Sequence, residues 1–229
     1  VFSSNNALSD FNKFFPGCNH KTKVLHFRTV LDEKWFNIDP VNIQLMYNLP
    51  DDFFIVCNQF WKHKNHLIVL EALRKLRDKK VFPNIVFTGK LYDHRMDDHI
   101  NAFFSKINYY GLNFQIFVLG HIPKDHQIQL MRRSIAVIQP SLFEGWSTVV
   151  ENARALGKAV ILSNIPVHIE QNPPDSVFFK SDSAESLAEC IDTLNLALSP
   201  GPNRQNEDTA KNRNQKEVKD FAYDFLDIC

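Results

Sequence analysis

The 229 residues hold 26 Lys plus Arg and 26 Asp plus Glu, a formal charge of zero, with 44% apolar and 23% charged side chains. Balanced charge argues against nucleic-acid binding, which shows as a basic excess or stripe, and no apolar run approaches the roughly 18 residues of a membrane span. The composition suits a soluble globular protein with room for one domain and its extensions.

The chain opens Val-Phe-Ser-Ser-Asn-Asn, with no basic leader or apolar block, and a first residue other than Met fits a piece of a longer protein. Residues 1–48 hold one short strand candidate at 24–27 and a short helix expected after Asp39-Pro40, where proline suits a first turn. From about Pro50 onward, short apolar runs alternate with amphipathic segments. The runs lie at 53–56, 85–88, 114–119, 135–138 and 159–162, with a shorter one at 177–179. They are rich in Val, Ile and Phe and lack polar alternation, which is how strands buried on both faces of a parallel sheet read. Helices are expected at 66–79, 97–110, 124–132, 148–156 and 183–198. In the first of these, Leu67, Leu70, Leu73 and Leu76 recur at helical spacing. Regular strand–helix alternation predicts an α/β fold, a Rossmann-like doubly wound parallel sheet of about six strands with helices on both faces. Residues 200–216 are polar and rich in Asn and charge, and read as a mobile loop or fraying helix start. A terminal helix is expected at 218–228, where Phe221, Phe225 and Ile228 return.

Cys18, Cys57, Cys190 and Cys229 form no C-x-x-C pair, so neither a zinc site nor a disulfide framework is expected, and reduced thiols in a cytosolic compartment are the default. Cys57 ends an apolar run and reads as a small buried hydrophobe. His63 and His66, and the stretch Asp93-His-Arg-Met-Asp-Asp-His99, carry metal-ligand residue types. Neither is anchored by Cys or by a second separated pair, so no metal is expected. No G-x-G-x-x-G follows the first strand and no P-loop is present, which removes the dinucleotide and P-loop readings.

The chemistry concentrates where the fourth strand runs into a helix, at Ser141-Leu-Phe-Glu-Gly-Trp-Ser-Thr-Val-Val-Glu151. Ligands of open parallel sheets bind beyond the carboxyl ends of strands. Thr148 and Glu151 have capping-box spacing, and Gly157 stands where the helix should stop. Gly145 permits close backbone approach to a ligand. The amides of Trp146, Ser147 and Thr148, with the positive end of the helix dipole, predict an anion site flanked by two carboxylates. Read from the residues alone, this is an anion-binding turn, and Glu151 as a mere helix cap stays open.

The segment from Pro140 to Gly157 resembles the signature of retaining family 4 glycosyltransferases of the GT-B fold, in which Pro-Ser-x-x-Glu-Gly leads to a second Glu on the next helix. Three further stretches resemble the same family in order: Cys57-Asn-Gln-Phe-Trp-Lys-His-Lys-Asn65 its first phosphate loop, Ile85-Val-Phe-Thr-Gly89 its second-strand glycine turn, and Phe117-Val-Leu-Gly-His-Ile-Pro123 the loop beside the nucleobase. The resemblance covers roughly residues 50–195.

It implies residues 1–48 as the end of an N-terminal domain plus linker, 49–199 as a nucleotide-sugar-binding domain, and 200–229 as a polar loop and C-terminal helix. Glu144 would contact donor-sugar hydroxyls and Glu151 the ribose. Backbone of Gly145, Trp146, Ser147 and Thr148 would hold the distal phosphate next to Ser141. Lys64 would offset charge growing on the diphosphate, and Gly120, His121 and Ile122 would lie along the base, with Gly89 nearby. Two departures stand out. Six residues separate Glu144 from Glu151 where the family has seven, and Asn58 replaces a family Arg, leaving Lys62 as the substitute cation.

The implied partners are a nucleotide sugar, an acceptor-binding N-terminal domain, and a glycan or lipid-linked acceptor of surface polysaccharide or lipopolysaccharide assembly. No cofactor is implied. The implied location is cytoplasmic or at the inner membrane face. A 2-epimerase of the same fold, or a module that binds nucleotide sugars without catalysis, are the competing expectations. Incubating a nucleotide sugar without acceptor separates the first, since only an epimerase converts it.

Overall fold

The structure is a computed structural model and describes residues 1–18, 20–91 and 98–228. The apolar runs fold as strands because both of their faces are covered. In β1 (Phe54–Cys57), Phe54 and Val56 join one core and Ile55 and Cys57 the other. The remaining strands are β2 Ile85–Thr88, β3 Ile116–Gly120, β4 Val137–Gln139, β5 Val160–Ser163 and β6 Ser176–Phe179. The helices are α1 Asn5–Phe14, α2 Pro40–Met46, α3 His66–Asp78, α4 Asp98–Tyr110, α5 Lys124–Arg133, α6 Thr148–Ala155, α7 Pro166–Gln171, α8 Ala184–Ala197 and α9 Arg204–Leu226, with short 3-10 turns at Glu33–Asn37 and Lys62–Lys64.

Among the described residues, six parallel strands form one sheet in the order β3-β2-β1-β4-β5-β6. This is the expected doubly wound α/β fold. Leu70, Leu73 and Leu76 of α3 and Leu187 and Ile191 of α8 seal one face. Ile128 and Met131 of α5, Val150 and Ala153 of α6, and Trp35 and Ile43 from the N-terminal segment seal the other. Strand order reverses between β1 and β4, so a crevice opens beyond their carboxyl ends. No helix of the described residues is long and apolar enough to cross a membrane.

Several expectations need correction. The third strand begins at Ile116, not Phe114. Phe114 is 93% exposed in a turn, and pairing starts only where Ile85 donates to the Gln115 carbonyl. The fourth strand runs Val137–Gln139 instead of 135–138, although Ile135 and Ala136 already bond to Phe53 and Ile55. The strand expected at 24–27 reduces to one bridge, Phe2 to Val24, because His26, Phe27 and Arg28 turn to pack on Trp146.

The capping box on Thr148 and Glu151 is replaced by a cap one residue earlier. Ser147 is extended and its Oγ accepts from Val150 N at 3.4 Å, so Thr148 is already helical. Gly157 does end the helix, in a left-handed conformation (φ +61°).

The largest difference is the C-terminal region. Of the two readings of residues 200–216, the loop holds only for 200–203, and the helix start is the one observed. From Arg204 they are the first half of α9, capped by Asn203, whose side chain accepts from Asn206 N. The buried stripe of this half is Glu207, Ala210 and Asn214. Glu207 takes two bonds from Arg132, at 2.6 Å to Nε and 3.1 Å to Nη2, and Asn214 donates to the Thr29 carbonyl. The stripe has helical spacing, but two of its three residues are polar, so hydropathy cannot reveal it.

Candidate functional site

The sheet brings the first and fourth strand ends side by side, and a polar chain links them. Asn58, the residue after β1, donates from Nδ2 to Gln139 Oε1 at 3.0 Å, and Gln139 closes β4. Gln139 Nε2 in turn donates to Ser141 Oγ at 3.2 Å and to Glu144 Oε1 at 2.8 Å. Lys64, at the end of the 3-10 turn before α3, completes the group, with Nζ 2.6 Å from Glu144 Oε1. Both ionic side chains are largely covered, at 14% and 9% exposure, which raises the strength of the pair above that of a surface pair. Leu142 N donates to the His63 carbonyl at 2.8 Å and ties the two loops together. Lys64 and Glu144 therefore meet at the switch point although 80 residues separate them.

The floor is buried. Ser163 Oγ donates to the Ser141 carbonyl at 2.5 Å, and the His168 ring stands 3.0 Å from both oxygens of Ser163. Burial pushes His168 down to about 4, so it is a neutral wall behind Glu144 near pH 7. Cys57 is likewise covered, and burial pushes its thiol up to about 12, which removes it as a thiolate nucleophile.

The turn into α6 divides the expected anion donors. Gly145 and Thr148 are exposed, and among the described residues no acceptor is bonded to the amides of Gly145, Trp146 or Thr148. The Ser147 amide is not available to a ligand, because it donates to Gln171 Oε1 at 3.1 Å. The Trp146 side chain is buried, stacked on His26 (4.3 Å between centroids, 6° between planes) and donating to the Phe27 carbonyl. Ser3 Oγ donates to the Gly145 carbonyl at 3.2 Å.

Glu151 is buried, at 1% exposure. Its Oε2 accepts from Arg28 Nη1 at 3.2 Å and its Oε1 from Gln171 Nε2 at 3.1 Å, with Arg154 Nε 3.5 Å away. Arg28 also reaches Glu217 of α9 at 3.5 Å. Asn152 stands eight positions beyond Glu144, with the family's usual seven residues between them, and accepts from Thr29 Oγ1 at 2.9 Å.

Gly89 serves the site from behind. Its φ is +138°, and a Cβ there would stand 2.1 Å from the Asn58 carbonyl oxygen. It keeps the β1 and β2 loops in contact more than it faces a ligand. Gly120 ends β3, and His121 and Ile122 follow it. His121 is exposed, Ile122 is packed in the core, and a cavity of about 140 Å³ lies among Thr88, Gly89, His121, Ile122, Lys124 and Gln127. Lys62 is exposed, two residues before Lys64. His66 is buried in α3 and stacked on Phe60, away from any ligand cluster, and among the described residues no group of three His, Cys, Asp or Glu could hold a metal. Residues 93–97 of the histidine-rich stretch lie outside the described residues.

Residue patterns missed Gln139, Arg28, Gln171 and His168. Gln139 left a signal, a polar side chain ending an apolar strand at the switch point. Arg28 left none, since it arrives from 123 residues away.

Residues 44–212 match the family described as glycosyl transferases group 1. The chain belongs to the glycosyl transferases group 1 family. Its fold is shared with solved glycosyltransferases. A Rickettsia africae ESF-5 glycosyltransferase superposes with a TM-score of 0.80 at 21% identity, over 99% of this chain and 61% of that one. Anabaena Alr3699/HepE in complex with UDP-glucose gives 0.76 at 16%, over 99% and 63%. WaaG, a glycosyltransferase involved in lipopolysaccharide biosynthesis, gives 0.67 at 14%, over 95% and 57%. This group 1 chain thus spans about three fifths of the length of these structures. No curated protein matches it in sequence.

Proposed function

We propose that this chain is the donor-binding part of a glycosyltransferase that moves a hexose from a nucleoside-diphosphate sugar to a glycan or lipid-linked acceptor with retention of configuration. The observation that carries the reading is the Lys64–Glu144 pair at the β1/β4 switch point, beside the exposed turn that opens α6. A diphosphate entering the crevice offers Lys64 two negative charges in place of one carboxylate, and the Gly145 and Thr148 amides with the helix dipole receive phosphate oxygens. Glu144, released from Lys64, is then an acceptor for sugar hydroxyls. As the sugar–phosphate bond breaks, Lys64 offsets the charge left on the departing diphosphate, which stabilises the transition state more than the ground state. This chemistry calls for no cofactor. The acceptor would sit on an N-terminal domain of the same protein, in the cytoplasm or at the inner membrane face, as in surface polysaccharide or lipopolysaccharide assembly. Sharing a fold with UDP-glucose-bound HepE and with WaaG supports these assignments.

Calorimetric titration with UDP, GDP and ADP tests the reading. One of them should bind, and Lys64→Met should weaken it by about tenfold to a hundredfold, the worth of a charge-assisted bond. Glu144→Gln should bind the free diphosphate at least as tightly as the parent, because it frees Lys64, yet lose the preference for nucleotide sugar over nucleotide. Absence of binding to all three at millimolar concentration would sink the proposal.

A further inference from the structure

At the opposite edge of the sheet, where β5 and β6 begin, lies a cavity of about 750 Å³. That volume is within the range of small-molecule pockets. One wall is apolar, with Leu156, Val177, Leu194 and Leu198, and the linker from α8 to α9 closes the other side. The floor is Lys158, which is 8% exposed. Its Nζ donates to two carbonyl oxygens, Arg132 and Gly201, each at 3.2 Å. Among the described residues no carboxylate pairs with it. The one buried carboxylate nearby, Glu207, is committed to Arg132 through both oxygens. Arg132 is itself fully spent, its Nη1 donating to Trp35 O, Ile38 O and Gln129 Oε1. The cavity thus holds a buried amine with no ion pair of its own, and charged groups in such places are costly unless paired. Asp175 lines the cavity too, but is exposed.

We propose that this cavity is a second ligand site, separate from the Lys64–Glu144 crevice, that takes a small aliphatic acid with its anionic head on Lys158 and its chain against Leu156, Val177, Leu194 and Leu198. The site depends on nothing assumed about the donor. A linked proton effect follows. Burial pushes Lys158 down to about 7, with Glu207 pulling it up and Arg133 and Arg132 pressing it lower. An anion beside it restores the charged form, so binding at about pH 8 takes up protons.

Titration of the whole chain with hexanoate, hexanol and hexylammonium, followed by methyl NMR and calorimetry, tests this. Hexanoate should bind at least about tenfold more tightly than either comparison compound. Its shifts should centre on Val177, Leu194 and Leu198, and its apparent heat should differ between phosphate and Tris buffers. Lys158→Met and Lys158→Gln should lose the preference for the acid. The glutamine variant keeps a donor for the two carbonyls if the methionine variant folds poorly. Equal binding of all three compounds, hexanoate shifts elsewhere, an unchanged preference in Lys158→Gln, or no hexanoate binding at about 10 mM would each overturn the proposal.

Discussion

Gly89→Ala should lower stability by about 3 kcal/mol or more, a fall in Tm of roughly 6–12 °C for a chain of this size. The new Cβ would lie 2.1 Å from Asn58 O, 2.5 Å from Asn58 C and 2.9 Å from Gln59 N. All three are backbone atoms, so no side-chain rotation relieves the overlap. The residue also sits at φ +138°, which L side chains rarely adopt. Asn58 is the first link in the chain through Gln139 to Glu144, so displacement of its backbone should disturb the site as well as the fold. Gly120→Ala is the matched control. Its φ is +67°, yet a Cβ there meets nothing within 4 Å, so only the conformational cost of about 1 kcal/mol is expected. Thermal unfolding of both variants decides the matter, and similar losses would show that close packing at Gly89 is not the constraint.

Acid should weaken the protein through two buried histidines. His66 is stacked on Phe60 with Phe87 and Phe103 around it. Burial pushes it down to about 3, His99, Lys64 and His63 adding to the effect and the Asn58 backbone opposing it. His168 is held at about 4, again chiefly by burial. An unfolded histidine takes a proton near pH 6.5, but these two do not until well below that. The unfolded state therefore binds more protons between about pH 6.5 and pH 4, and stability falls as pH falls through that window. At about pH 4.5 each histidine should cost roughly 2–3 kcal/mol relative to pH 7. Together that is a large share of a typical 5–15 kcal/mol of folding stability. Urea unfolding at the two pH values measures it. His66→Phe, which keeps the stacked ring, should recover about half of the loss. An unchanged pH dependence in that variant would assign the acid sensitivity elsewhere.

Much of the fold was legible because its strands are covered on both sides, which leaves uninterrupted Val, Ile and Phe at 53–56, 85–88 and 159–162. Errors arose where chemistry and location diverge. Phe114 is aromatic yet stands in solvent, so an apolar-run reading extends the third strand two residues too far. Glu207 and Asn214 are polar yet buried, so hydropathy cannot separate an ordered helix from a loop or a fraying helix start there. The site was legible in the same uneven way. Lys64 and Glu144 were expected to share a ligand, and the sheet order brings them together. The surroundings of Glu151 were not legible, because Arg28 and Gln171 reach it through tertiary packing that leaves no local spacing.

The α9 helix sets a limit on how far this domain can be reduced. Cutting at residue 203 would leave Arg132 in the interior without its carboxylate, Thr29 without the Asn214 amide, and Arg28 with Glu151 alone. At Gly157 the backbone of Asn206 lies so close that a Cβ would stand 2.5 Å from its carbonyl oxygen, so the junction is fitted, not merely adjacent. A fusion or domain exchange that joins foreign sequence at the α8–α9 linker would thus inherit three unmatched polar partners, and the seam for such engineering belongs after α9.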